Sequence, residues 1–193
     1  MTSLIILSIP ALIYALVVKL KERANGYEIA RRLGLTLGKS RYYSWALGFT
    51  LLFSVISVGV LQLIPASVLN DENVAASRFV GQPLTVMNFL SALVFGLFET
   101  GLGEEILFRG LVAGWFGRRT KLWVANAVQA AIFTLPHLLL LTIELSLWPI
   151  AFAVPFVGGL MLGWLRLRSG SIVPGWIVHG LGNVFSAIAV MGI

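Results

Sequence analysis

ETGLGEEILFR, residues 99–109, places three carboxylates and a guanidinium inside a hydrophobic run that begins near Leu84 and ends near Phe116. A run that long predicts a membrane-spanning helix. A charged side chain near the bilayer centre costs roughly 2.5–3.5 kcal/mol on insertion scales, so these groups need partners or work to do. Glu105 and Arg109 are four apart, on one helix face, which suits an ion pair. That pair leaves Glu104 and Glu99 to be explained. At about 100° per residue, Glu99 lies about 140° round an α-helix from Glu104. It either lines a substrate or water path or sits protonated against a neighbouring helix.

Working outward, the composition is that of a membrane protein. Of 193 residues, 58% are hydrophobic and only 11% charged, with a mean hydropathy of +0.92. A soluble domain carries about 25% charge. No cysteine is present, which excludes disulfides, thiolate metal sites and cysteine nucleophiles. Six spans are expected, near Leu4–Val18, Trp45–Ile64, Leu84–Phe116, Trp123–Leu141, Leu147–Leu165 and Ile172–Met191. The expected fold is therefore all-α, a polytopic transmembrane bundle in one integral membrane domain, residues 1–193, with the site inside it. Residues 1–80 supply N-terminal spans and a basic loop, and residues 84–191 the functional helices. The first run lacks a basic n-region and a small-residue cleavage site, so it reads as a retained span.

The net charge of +6 does not point to nucleic acid, because the basic residues cluster in short segments between apolar runs. Lys19, Lys21, Arg23, Arg31, Arg32, Lys39 and Arg41 precede the second span, Arg118, Arg119 and Lys121 the fourth, and Arg166 and Arg168 the sixth. These are 12 of the 14 basic residues, all on one side if spans alternate. The positive-inside rule then puts the basic loops in the cytoplasm and both termini outside, in a multi-pass protein of the cell membrane. Residues 19–44 read equally as an amphipathic interfacial helix or as a solvated basic linker.

Polar groups recur inside the other apolar runs: Asn126, Gln129 and His137 in the fourth span, His179 and Asn183 in the sixth. Two histidines on different helices and a carboxylate pair on a third predict convergence in the bundle interior. His179 and Asn183, four apart, share a face. Pro136 weakens the helix just before His137. Gly101, Gly103, Gly110, Gly180 and Gly182 permit close helix approach. Carboxylate, imidazole and amide groups together suit activation of water, with a partly desolvated glutamate as base and amide or imidazole donors for an oxyanion. Two histidines and one glutamate would equally make a three-ligand zinc set with an open position for water. The HExxH motif is absent, and these two routes stay open on the residues alone.

Glu104-Glu105-Ile-Leu-Phe-Arg109 fits EExxxR, Phe133-Thr-Leu-Pro-His137 fits FxxxH, and His179-Gly-Leu-Gly-Asn183 fits HxxxN. In this order and on separate spans, they resemble the CAAX-protease and bacteriocin-processing (Abi) family of intramembrane endopeptidases, over about residues 84–191. The resemblance implies a glutamate-dependent peptidase acting on membrane-associated peptides or proteins that enter from the cytoplasmic side. It implies Glu104 as general base, His137 helping to hold the water, and His179 with Asn183 stabilising the oxyanion. Glu105 and Arg109 would form the supporting pair. Members have been described as metalloproteases and as metal-free enzymes. The metal-free form is the leading expectation, with no cofactor required, and a zinc ion would fall to Glu104, His137 and His179. The chain has fewer spans than the eukaryotic prenyl-protein peptidases of the group, so leader, C-terminal tail or anchor peptides are expected before prenylated CAAX proteins. Two other classes compete: a non-catalytic bacteriocin-immunity or scaffold protein on the same fold, and a proton-coupled transporter using Glu99, Glu104 and the histidines as a relay. Retention of all three motifs favours chemistry over the first, and lack of repeat symmetry weighs against the second.

Overall fold

Every long apolar run of the sequence is helical in the computed structural model, which describes residues 2–72 and 74–192 and has no strand among them. In chain order these are α1 (Thr2–Glu22), α2 (Gly26–Leu33), α3 (Arg41–Leu61), the short α4 (Ala66–Leu69), α5 (Val86–Gly117), α6 (Leu122–Thr142), α7 (Leu145–Ser169) and α8 (Val173–Val190). Six of them, all but α2 and α4, are long and apolar enough to cross a membrane. These are the six expected spans, and the protein is a multi-pass membrane protein. Their outer faces stay apolar and exposed, as at Ile5, Leu12, Leu47, Leu51 and Val55, because the solvent they meet is lipid.

Helix α2 resolves the stretch 19–44 in favour of a short helix docked on the bundle. Asn25 caps its start, accepting from Glu28 N at 2.9 Å, and Gly34 ends it in a left-handed conformation at φ 70°. Beyond it the chain is tied to the segment after α7: Lys39 N donates to Ser169 O at 3.0 Å, and Ile172 N to Gly34 O at 2.9 Å. Arg166, expected in a loop, instead lies buried in the last turn of α7. Its Nε donates to Arg109 O at 3.1 Å and its Nη2 to Arg32 O at 2.9 Å. Arg32 O lies in the last turn of α2, where carbonyls lack intrahelical donors, and a guanidinium has donors enough to serve it and Arg109 O together. At the α6–α7 turn, the Ser146 hydroxyl and backbone N–H both donate to Glu144, at 2.7 and 3.0 Å, and hold its carboxyl below the usual range.

Helix α5 is the axis of the bundle and is not α-helical throughout. Val94–Leu102 and Glu105–Ala113 are wound as π-helix, with backbone bonds five residues apart. Such winding is rare and tends to occur at functional sites. The α-helical angle between Glu99 and Glu104 therefore does not hold. The first π stretch sits almost backbone to backbone on α8. A Cβ added to Gly101 would lie 2.9 Å from the Cα of Gly180 and 2.5 Å from Gly96 O. Gly101→Ala is thus expected to cost about 1–3 kcal/mol by overpacking. Thermal unfolding in detergent will read this as a lowered midpoint, and an unchanged midpoint would mean that α5 and α8 are not this close.

Two apolar clusters hold the ends. Leu69, Phe79, Phe95, Ala187 and Val190 pack at one, and Tyr42, Ala46, Leu162, Leu165 and Val178 at the other. Asn126 and Gln129 join α6 to α7: Gln129 Nε2 donates to Gly159 O at 2.6 Å, and Asn126 Nδ2 to Leu160 O at 3.0 Å. Both amides, noted in the sequence as polar groups inside a span, tie one helix to its neighbour.

Candidate active site

Helices α5, α6 and α8 bring the six singled-out residues to one region. Glu105 and Arg109 are both fully buried, and Arg109 Nη1 lies 3.1 Å from Glu105 Oε1. The guanidinium is stacked on Phe133 of α6, 4.0 Å from the ring centroid. That face-on contact suits a cation removed from water. The same Glu105 Oε1 lies 3.2 Å from His179 Nδ1. An ionised carboxylate only accepts, so Nδ1 carries a proton and donates. The other ring nitrogen, Nε2, lies 3.6 Å from Glu104 Oε2.

A line of four groups results: Arg109, Glu105, His179, Glu104. Along it the two carboxylates alternate with a guanidinium and an imidazole, so that each acidic side chain faces a possible donor in a low-dielectric interior. A gradient of exposure runs along it. The side chains of Arg109 and Glu105 are 0% exposed, that of His179 11% and that of Glu104 22%. The buried end is fixed, while the Glu104 end can meet water.

His137 ends the α-helical part of α6, after which the chain tightens into a 3₁₀ turn. Its Nδ1 is 2.9 Å from Phe133 O, and since a carbonyl only accepts, Nδ1–H donates. In the neutral ring the Nε2 lone pair is then left for another partner. The Phe133 ring lies edge-on to His179, with centroids 5.8 Å apart and the planes at 89°, and 4.8 Å from His137. Phe133 thus packs against both imidazoles and Arg109. Asn183 Nδ2 donates to Thr100 Oγ1 of α5 at 2.8 Å.

His137, His179 and Asn183 line one cavity of about 260 Å³. Its remaining walls come from α3, α7 and α8, with Phe53, Val60, Leu61, Val154, Leu162 and Gly182 among them, so it is polar at one end and mainly apolar elsewhere. Glu104 does not line it, and connects to it through His179. A cleft of this kind, apolar with a few convergent polar groups, is the usual form of a small-substrate site.

Several contacts here escaped the sequence. Glu105 was expected to serve Arg109 alone, yet it also holds His179. Thr100 was not singled out at all. Glu99, expected to line a path or sit protonated, accepts from Arg78 Nη2 at 2.7 Å and lines a second cavity beside it. Arg78 was the signal for this, the one basic residue outside both the basic loops and the EExxxR motif. Among the described residues no three His, Asp or Glu side chains converge in a way that could hold a metal ion. His179 Nδ1 faces Glu105 and His137 Nδ1 a backbone carbonyl, which leaves the Nε2 atom of each ring for other partners.

Six membrane-length helices around a buried acid–imidazole–guanidinium line, opening on an apolar cavity, define a multi-pass membrane protein with a polar centre. The family model described as type II CAAX prenyl endopeptidase Rce1-like matches residues 86–185, just over half of the chain. The protein therefore belongs to this CAAX-type intramembrane protease family, as the three motifs indicated. The matched segment holds all six site residues. No curated protein and no solved structure gives a match.

Proposed function

We propose that the protein is an intramembrane endopeptidase that hydrolyses a peptide bond by water activated at Glu104. The observation that carries this reading is the Arg109–Glu105–His179–Glu104 line, whose exposed half adjoins a cavity also lined by His137 and Asn183. Glu104 takes a proton from the attacking water as its oxygen adds to the scissile carbonyl. His137, with Nδ1–H held by Phe133 O, accepts the water's other hydrogen at Nε2 and holds it in place. The oxyanion that forms is met by His179 Nε2–H and the Asn183 amide. Glu104 then returns its proton to the leaving amine as the C–N bond breaks, so the base ends the cycle as it began. Glu105 keeps His179 in the donating orientation, and Arg109 neutralises Glu105. No step of this scheme uses a metal or other cofactor.

The cavity walls support apolar, membrane-associated substrates: leader peptides, C-terminal tails or anchors. The test is cleavage by the purified protein in liposomes of a panel of bacteriocin leader, anchor-tail and prenylated CAAX peptides, each with a chelator arm. Cleavage of at least one peptide, unchanged by chelator, is expected. Uncut peptides that still bind would instead place the protein in the binding or immunity class.

The proposal also has a direction across the membrane, with the basic loops cytoplasmic and both termini outside. Because the chain has no cysteine, any introduced one is unique. A membrane-impermeant maleimide on intact cells should label Gln82→Cys and leave Lys121→Cys unlabelled until the cells are opened. The reverse pattern would invert the topology.

A further inference from the structure

Thr100 has no task in the scheme above, and its surroundings give it one. It lies in the first π-helical stretch of α5, where its hydroxyl donates to Phe95 O, five residues back, at 3.0 Å, with Gly96 O at 3.4 Å. A hydroxyl has one hydrogen to give. With that hydrogen directed at the backbone, Oγ1 is left as an acceptor, and Asn183 Nδ2 donates to it at 2.8 Å. The contact fixes which end of the Asn183 amide faces α5: the nitrogen, not the oxygen. An amide nitrogen has two hydrogens, so one remains after Thr100 is served.

The approach of the two helices makes this reach possible. Gly101 and Gly180 lie nearly in contact through their backbones, a Cβ on Gly96 would lie 2.6 Å from Val184 N, and Trp176 Nε1 of α8 donates to Leu97 O at 2.5 Å. Three separate contacts thus hold the π stretch against α8, with Thr100 facing Asn183 between them.

We propose that Thr100 is a positioning residue of the site: its hydroxyl locks the Asn183 amide so that the remaining N–H is directed at the cavity, where the oxyanion forms. The inference deepens the peptidase reading and rests on it for its kinetic consequence. Its structural half, the locked amide, stands apart from that reading. A hydrogen-bond donor helps a transition state only when it is already aimed, and a small misplacement of a catalytic group costs rate more than binding.

The test compares Thr100→Val, which keeps the shape and removes the hydroxyl, with Thr100→Ser, which keeps the hydroxyl. The first readout is the Asn183 side-chain amide signal in ¹⁵N-labelled protein in detergent. It should move in Thr100→Val and return towards wild type in Thr100→Ser. The second is kinetics on any peptide the wild type cuts: kcat should fall about 10- to 100-fold in Thr100→Val with KM within about twofold, and Thr100→Ser should recover most of it. A purely structural role for Thr100 would not yield this split, nor rescue by serine. An amide signal unmoved in Thr100→Val, or Thr100→Ser behaving as Thr100→Val does, overturns the proposal. If the wild type cuts nothing while the amide signal follows the hydroxyl, the peptidase reading falls and the Thr100–Asn183 lock stands. Should Thr100→Val fail to fold, Thr100→Ser with a wild-type fold but a displaced amide signal would equally overturn it.

Discussion

Glu104→Gln is expected to fold as the wild type does and to lose hydrolysis, by a factor of at least about 10²–10⁴ in kcat. The substitution preserves size and shape but leaves a group that cannot take a proton from water. Its structural cost is small for two reasons. Glu104 is the most exposed member of the buried line, and the fully buried Glu105–Arg109 pair is left intact by the change. Substrate affinity should change little, because Glu104 does not line the cavity where the peptide is proposed to sit. Turnover at wild-type rate in this variant would remove Glu104 from the role of base.

Arg109→Ala is expected to have the largest effect on stability, a loss of about 3–5 kcal/mol, together with loss of activity. Both members of the pair are wholly buried, so removing the cation strands a carboxylate with no water to turn to. Glu105 Oε2 has no hydrogen-bond partner among the described residues, and it lies where a Cβ on Gly175 would be only 2.7 Å away. The site cannot adapt easily by moving the carboxylate in that direction. The substitution also takes the cation from the face of Phe133, which packs against both histidines. Thermal unfolding in detergent reads the loss. The double variant Glu105→Leu/Arg109→Met separates the two consequences. Replacing a buried pair by apolar side chains of similar volume is often neutral or stabilising. The double variant should regain stability yet stay inactive, because His179 has lost the carboxylate that orients it. An Arg109→Ala protein as stable as wild type would contradict the buried pair.

The parts of this molecule that were legible in its sequence are those that a one-dimensional pattern can carry. The six spans follow from the length and apolarity that a bilayer demands, whereas residues 19–44 stayed open between helix and linker until the structure showed α2 bounded by Asn25 and Gly34. The i,i+4 spacings of Glu105 with Arg109 and of His179 with Asn183 survive as shared faces, the first of them despite π-winding. The contacts that depend on how helices are turned against one another were not legible. No residue pattern announced the π-winding of α5, and without it neither Thr100's bond to Phe95 O nor its meeting with Asn183 could be foreseen. The bond from His179 to Glu105, rather than to Glu104 alone, depends on the rotation of α8 against α5, which the near-contact of Gly101 and Gly180 sets. Arg166 was read as a loop cation because charge predicts exposure, and it is buried because backbone carbonyls of α2 and α5 offered it partners. Arg78 and Glu99 are 21 residues apart in the chain, and only the fold joins them.

The central claim, hydrolysis by water activated at a membrane-buried glutamate, is tested most directly by mass spectrometry of the peptide products formed by the liposome-embedded protein in ¹⁸O-labelled water with chelator present. The account predicts a single cleavage whose new C-terminal carboxyl carries one ¹⁸O, formed by the wild type and absent with Glu104→Gln. Cleavage that disappears with chelator, or that persists in Glu104→Gln, would contradict it.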